Sequence, residues 1–411
     1  VRAVDVVIVG GGPAGLTAAR ELAPLVSGRV VVIEREAHSG GIPRHSNHQG
    51  YGLRDLKRSL TGPAYATTLT RLAERVGVDI LTSTTVTSID DDLTVHLTGP
   101  AGPSTLSPRA VILATGARER PRAARLIPGD RAGGVFTTGQ LQQWVELEKL
   151  PVGHRAIVVG AEHVSFSAVL TLRHAGVRVV ELVTDLPRHQ GVRGAALVAR
   201  LLWRCRVSTS TRVTDLRGAP RLRRVELEDT RTGQRRWVDC DTIVFSGDWI
   251  PDMELARRTS LDVDEHTLGP RTDDVGRTSR AGIYAVGNLV HPVETADRCA
   301  LVARNVARAV AHDLANASHT QTVAVRPGAG LAWVWPQRVS LNGQPDYLRL
   351  RFSQFSPLRH VTATQGGVVI GRARIRRVVP LQHRRVSVSL LRQATVDGGP
   401  IELSLGDSPT N

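Results

Sequence analysis

Lysine is almost missing from this chain. Of 53 lysines and arginines in 411 residues, only Lys57 and Lys149 are lysines. The net charge of +15 is therefore carried by arginine. A bias this complete reflects genome composition as readily as function, so the charge alone names no partner. Cysteine is also scarce. Cys205, Cys240 and Cys299 are far apart and form no C-x-x-C, which excludes a dithiol redox pair and a cysteine zinc site and suits a reducing compartment. Aromatics make up 4% of the chain. With no nucleic-acid motif either, base stacking is not expected and nucleic acid is not a partner. No apolar run reaches the ~18 residues of a membrane span. The first strand begins at the N-terminus, which leaves no room for a signal peptide. Cytoplasmic residence is the resulting expectation, and no metal-ligand pattern stands out.

What the chain does have is glycine in register. Residues 6–9 are an apolar run suited to a buried parallel strand. Gly10, Gly12 and Gly15 follow with G-x-G-x-x-G spacing. Gly10 allows a tight turn, Gly12 lets backbone approach a pyrophosphate, and Gly15 lets a helix pack close to the strand. The helix that follows directs its free N–H groups and positive dipole end at the phosphates. A second apolar run, 30–33, ends in Glu34, placed to accept hydrogen bonds from a ribose hydroxyl. Further on, the apolar run 110–113 ends in Ala114-Thr115-Gly116, small residues that again permit a ligand to come close.

At 411 residues, two or three domains are expected. The periodicity predicts a helix over 64–76, a short strand over 78–81 and antiparallel strands over 84–107. Residues 155–160 then open a second strand-turn-helix, with the helix near 164–175 and a strand over 177–183. A helix near 195–203 and strands at 207–213, 222–227, 235–238 and 242–245 complete a degenerate repeat of the first unit. Residues 283–288 form another buried strand ending in Gly287-Asn288, followed by a helix over 295–314. Residues 318–330 read as a linker. Beyond it, 347–352, 367–375 and 386–391 alternate as strands do.

These residues carry a resemblance. Gly10-Gly11-Gly12-Pro13-Ala14-Gly15, Glu34, Ala114-Thr115-Gly116, the Ile127-Pro128-Gly129 turn and Tyr284 through Asn288 resemble the two-dinucleotide-binding-domain flavoproteins with the pyridine nucleotide-disulfide reductase fold. The likeness spans roughly residues 4–315. It implies an α/β fold of two Rossmann-like domains, the second inserted in the first, with a small C-terminal β-rich module. The implied boundaries are 1–118 and 272–316 for the FAD-binding domain, 119–271 for the inserted NAD(P)-binding-like domain and 317–411 for the basic module. It also implies FAD as cofactor, held by Gly10, Gly12, Pro13, Ala14, Gly15, Glu34, Arg35, Gly41, Val86, Ala114, Thr115, Gly116, Gly287 and Asn288. Family members usually carry Asp where Asn288 stands, binding the flavin's ribityl chain or pyrophosphate; Asn288 can still bond a hydroxyl. The Gly40–His45 stretch, with Gly52-Leu53-Arg54 and 62–66, is similar to the FAD subunits of opine oxidase and hydrogen cyanide synthase, which oxidise amine-type substrates within complexes. Their cysteine-rich C-terminal iron–sulfur segment has no counterpart after Cys299.

Two departures bear on mechanism. The family's disulfide reductases need a cysteine pair that this chain lacks. In the repeat, Glu162 stands at the second glycine and Ser165 at the third, setting bulk and negative charge against a pyrophosphate. The second domain is expected not to bind NAD(P) productively, although a changed turn that still binds it remains an alternative. The leading functional reading is an FAD-dependent dehydrogenase taking a hydride from a small amine or amino-acid-type substrate. Arg44, His45 and His48 form the best local cluster, since histidine titrates near neutral pH and arginine pairs a carboxylate bidentately; Arg54 is a second arginine for that role. Asp297 opens the last family helix, whose N-terminus is expected to stabilise charge on the reduced ring. The alternatives are an NAD(P)H-dependent flavin reductase and a flavin-holding electron-transfer or structural subunit. Residues 317–411 hold twelve arginines against four acids. Arg349 and Arg351, and likewise Arg372, Arg374 and Arg376, are expected to share a basic face, which is either a solvated surface of an arginine-rich protein or a docking face for an acidic partner subunit or the anionic inner membrane surface. Oligomerisation is compatible with all three readings.

Overall fold

The computed structural model describes residues 3–190, 204–292, 294–316, 321–341, 347–380 and 383–406, with the side chains of 356–359, 376–377 and 383 outside that description. Val4–Val9 and Arg29–Ile33 pair in parallel, flanked by Ala110–Leu113 and Asp79–Leu81, and Ile283–Ala285 closes the far edge. These runs are rich in Val and Ile and buried on both faces, as a parallel sheet covered on both sides requires. The helix Pro13–Leu22 covers one face with Leu16, Ala18, Ala19 and Leu22. The helix Ala296–Ala315 packs beside it through Cys299, Ala303, Val306 and Val310. The other face carries a separate core that includes Val7, Val31 and Leu113. The helix Gly62–Glu74 begins two residues before the periodicity suggests, because the Thr61 hydroxyl caps it by accepting the Ala64 N–H.

The same plan recurs. Val135–Thr137, Thr242–Phe245, Arg155–Val159, Arg178–Val183 and Arg206–Ser208 form a second parallel sheet. Each parallel sheet is accompanied by a three-stranded antiparallel one: Thr85–Ile89, Val95–Gly99 and Gly102–Leu106 with the first, Thr211–Arg217, Arg224–Asp229 and Arg235–Asp239 with the second. The chain crosses between the units on Ala117–Glu119 and returns on Trp249–Pro251, which pair antiparallel. This is an α/β protein of two Rossmann-like units with a β-rich C-terminal region. The helix expected near 195–203 lies outside the described residues.

The C-terminal region departs from expectation in several places; the strand expected over 386–391 ends at Ser387, and Val388–Leu391 is a 3-10 turn. Residues 318–330 are not simply a linker: Thr322–Pro327 is a strand, paired with Arg338–Ser340 and Ile401–Gly406. Its alternating Val323 and Val325 enter the C-terminal core. The strand Tyr347–Phe352, in turn, does not offer its arginines to solvent. Leu348, Leu350 and Phe352 enter the C-terminal core, while Arg349 and Arg351, on the opposite side, are also buried. The strand pairs with Leu331–Trp335, whose Trp333 and Trp335 join the core beneath the first sheet. Of the expected basic face, Arg372 and Arg374 are exposed, and the Arg376 side chain lies outside the described residues.

Candidate functional site

The first cradle shows why three glycines sit where they do. A Cβ on Gly10, at φ +109°, would lie 2.5 Å from the Ala114 carbonyl oxygen, and one on Gly15 would lie 1.9 Å from the Gly10 carbonyl oxygen. Those two glycines are required by the protein's own packing. A Cβ on Gly12 would meet nothing nearer than the Gly41 Cα at 4.0 Å. Its missing side chain clears space for something else. Gly12 also precedes the helix Pro13–Leu22 with no side-chain cap, so the first-turn N–H groups, including that of Ala14, keep their donors for a ligand. Glu34 is buried; one oxygen accepts the Gly11 N–H at 2.8 Å and the other the Glu36 N–H at 2.9 Å. Each oxygen retains a lone pair for a ribose hydroxyl. Gly287 closes the cradle from the return strand, where a Cβ would stand 3.0 Å from that of Ala14. Gly116 faces open space, Thr115 donates its hydroxyl to the Asp252 carbonyl, and exposed Arg35 pairs with Asp252 at 3.4 Å. Val86 lies half-buried on its strand against the core beneath the sheet. An uncapped helix with clearance at Gly12 fits the pyrophosphate of FAD.

Asn288 has a different first task from the one expected of it. Its carboxamide oxygen accepts the Glu294 N–H at 2.7 Å and its amide donates to the Glu294 carbonyl at 3.2 Å. Both ends of the side chain shape the loop ahead of the helix Ala296–Ala315.

The expected catalytic cluster is divided by the structure. Arg44 is paired with Glu36. His45 is buried, and burial pushes its pKa down to about 4. It is a neutral histidine at physiological pH, which corrects the expectation of a titrating base. His48 stays half-buried, its ring centroid 5.2 Å from that of Tyr51. Asp297 is buried and ion-paired with Arg54 at 3.0 Å, and it accepts the Thr295 hydroxyl at 2.6 Å. His48, Tyr51, Arg54 and Asp297 thus gather at the start of the helix Ala296–Ala315, while Arg44 pairs with Glu36 and His45 is buried.

In the second cradle the place left open in the first is filled. Glu162 is the N-cap of the helix His163–His174: its carboxylate accepts the Ser165 N–H, and the Ser165 hydroxyl accepts the Glu162 N–H at 3.2 Å. A Cβ on Gly247 would lie 1.8 Å from a Glu162 carboxylate oxygen, so the acid presses against the neighbouring turn as well. Burial raises the Glu162 pKa to about 7, opposed by the nearby charge of Arg351 from the C-terminal region. Glu119 is held close by, accepting the Gly139 N–H at 2.9 Å and the Gly247 N–H at 3.1 Å. Gln190, at the edge of this unit, donates to the Pro380 carbonyl at 3.4 Å.

The three thiols lie in three different cores, Cys299 under the first helix and Cys205 and Cys240 in the second unit. Burial pushes Cys205 and Cys240 up to about 12 and raises Cys299 as well. None is a partner for another. What sequence reading misses is the buried group Glu294, His291 and Arg349. Its one signal is Arg349 and Arg351 alternating with Leu348 and Leu350, a pattern that cannot say which face meets solvent.

Comparison with known proteins agrees with this architecture. A thioredoxin reductase from Treponema pallidum (strain Nichols) is 29% identical over 294 residues, covering 69% of this chain and 88% of that protein. An opine oxidase subunit from Rhizobium meliloti is 25% identical over 315 residues, covering 69% of this chain and 58% of its own length. The crystal structure of T. acidophilum thioredoxin reductase superposes with a TM-score of 0.65 at 18% identity, over 77% of this chain and all of that one. Residues 4–312 match the pyridine nucleotide-disulphide oxidoreductase family, and the chain belongs to it. The family consists of FAD-dependent oxidoreductases in which NAD(P) is also used.

Proposed function

Within that family, we propose that this chain is a dehydrogenase that oxidises a small amine- or amino-acid-type substrate and exchanges electrons with something other than a nicotinamide nucleotide. The observation that carries the reading is the filled second cradle, where Glu162 caps the helix that a nucleotide pyrophosphate would need. The scattered, buried thiols argue in the same direction, since they offer no pair for disulfide reduction. The opine oxidase relative supports the amine class.

Bound in the first cradle, FAD would supply a ring able to accept a hydride. Gly10, Gly12 and the N-terminus of Pro13–Leu22 would hold its pyrophosphate, and Glu34 its ribose. Arg54 is half-exposed and anchored by Asp297, which leaves guanidinium N–H groups for a substrate carboxylate. Asp297 is therefore a positioning group, and His48 is the side chain in the loop suited to accept a proton.

Anaerobic mixing of the purified flavoprotein with a panel of amines, amino acids and hydroxy acids tests the proposal. The expected result is flavin bleaching by an amine-type member and none by micromolar NADPH. Rapid bleaching by NADPH, with the panel inert, would replace it by an NAD(P)H-dependent flavin reductase. The opine oxidase relative is one subunit of a larger enzyme, which favours a second reading: a flavin-holding component of a complex, with exposed Arg372 and Arg374 meeting an acidic partner. Turnover by the isolated chain with an artificial acceptor argues against it; capture of a partner that is lost above ~0.15 M salt argues for it.

A further inference from the structure

Glu294 and Arg349 form an ion pair in which both side chains are 1% exposed, with Nη1 2.8 Å from Oε2. They come from distant segments: the loop before the helix Ala296–Ala315, and the C-terminal strand Tyr347–Phe352. The same guanidinium lies 3.2 Å from the His291 Nε2, and the His291 ring is held by Trp333 and Trp335, each with a centroid 5.2 Å away. Removing one partner of such a pair leaves a buried charge whose compensation is lost.

From Glu294 the contacts run to the cofactor side. Its other carboxylate oxygen accepts the N–H of Thr295, the N-cap residue of a 20-residue helix that has no side-chain cap. Its backbone N–H and carbonyl are both taken by Asn288, which follows Gly287, the residue that backs onto Ala14 in the first cradle. One arginine from the C-terminal region thus answers the acid that shapes the loop from Gly287 to the helix start. A helix N-terminus favours negative charge, and this one would do so for a reduced flavin ring seated against it.

We propose that Arg349 is a positioning residue for the flavin end of the site: by offsetting the charge of Glu294 it lessens the opposition of that carboxylate to the positive pole at the N-terminus of Ala296–Ala315, where Asp297 is separately offset by Arg54. Without Arg349, the carboxylate of Glu294 opposes that pole and electron uptake becomes less favourable. Without the Glu294 charge, the cation remains and uptake becomes more favourable. Arg298 stands 3.6 Å from Glu294 on the same helix and moderates both effects. The inference rests on FAD in the first cradle and is independent of the substrate.

The test compares Arg349→Met, Glu294→Gln and the double variant in the full-length, FAD-loaded chain, by two-electron reduction potential, FAD dissociation constant and thermal melt. Arg349→Met is expected to lower the potential by a tenfold change in the reduction equilibrium, about 30 mV. Glu294→Gln is expected to raise it, and the double variant to return within a few-fold of wild type. A purely structural role predicts lower melting temperatures with no opposed signs, so potentials that move together or not at all overturn the proposal. If Arg349→Met does not fold, Arg349→Lys must keep the wild-type potential while Arg349→Gln lowers it. If no Arg349 variant folds, Glu294→Gln decides alone: a rise supports the proposal and no change refutes it.

Discussion

The two strand-turn-helix units of this chain start from the same plan and end with opposite chemistry at the same point. Before the helix Pro13–Leu22 stands Gly12, uncapped and facing space. Before the helix His163–His174 stands Glu162, whose own carboxylate already occupies the helix N-terminus. A helix N-terminus favours negative charge whatever its source. In one unit the protein leaves that preference for a ligand, and in the other it satisfies it internally. The pressure on Gly247 and the approach of Arg351 show that the acid is built into its surroundings and is no incidental surface substitution. A repeated fold therefore does not imply a repeated ligand, and the difference is carried within one turn, by Glu162 and Ser165.

The largest effect should come from making the first cradle resemble the second. Gly12→Asp places a carboxylate at the pyrophosphate position without a packing clash, and we expect FAD affinity to fall at least ~100-fold while the fold survives. The ratio of flavin absorbance to protein, read beside the far-ultraviolet circular dichroism, measures it. Gly15→Ala sharpens the contrast: its Cβ would collide with the Gly10 carbonyl, so folding should suffer along with binding.

The reverse change should be smaller. Glu162→Gly with Ser165→Gly removes the internal anion and leaves Arg351 facing an emptied turn. We expect NADPH binding to strengthen roughly tenfold, an effect of about 1.4 kcal/mol, with the C-terminal region still limiting access. Unchanged calorimetric titrations in the variant would show that the turn is not the obstacle.

The smallest effect is a pair of opposed pH slopes. The folded-state pKa of Glu162 is raised from 4.5 to about 7, so the stability linked to it is complete below pH 4.5 and is lost as pH rises through 7. The folded-state pKa of His45 is lowered from 6.5 to about 4, so its contribution is complete above pH 6.5 and is lost as pH falls through 4. Arg351, Arg125, Glu119 and Asp248 face Glu162, and their net effect is already within its direction. Urea midpoints between pH 4.5 and 7 should decline less steeply with rising pH in Glu162→Gln, and should fall less on acidification in His45→Gln. Slopes unchanged from wild type would remove both groups from the account.

Much of the fold is legible in the sequence because its signals are local. Residues 6–9 and 30–33 are short β-branched runs between turn residues, and buried parallel strands leave that mark at any distance from their partners. The requirement at Gly15 is legible for the same reason, since its Cβ would meet the Gly10 carbonyl of its own turn, whereas Gly10 and Glu162 also answer to Ala114 and Gly247 far along the chain. His45 is not legible. Its lowered pKa comes from burial in the folded chain, which no loop composition announces. Asn288 escapes sequence reasoning because its partner, Glu294, sits in a loop whose shape only the return helix defines. The alternation over 347–352 marks a strand, as the structure has it, yet period-2 patterning separates two faces without naming the wet one. Arg349 and Arg351 look solvated in sequence and are buried because acid-bearing surfaces lie against them.

The contact of Gly287 with Ala14 also bears on how the molecule comes into being. The cradle's floor is made from the first residues of the chain and its wall from a strand that emerges only after the whole second unit. Domains fold roughly as they leave the ribosome, at about 5–20 residues per second, and contacts between distant segments are the slow ones. The nascent first segment must therefore wait many seconds with an unpaired edge at Ala110–Leu113 until Ile283–Ala285 arrives. A cofactor bound across the early and the late segments would act as a staple that makes this closure hard to reverse.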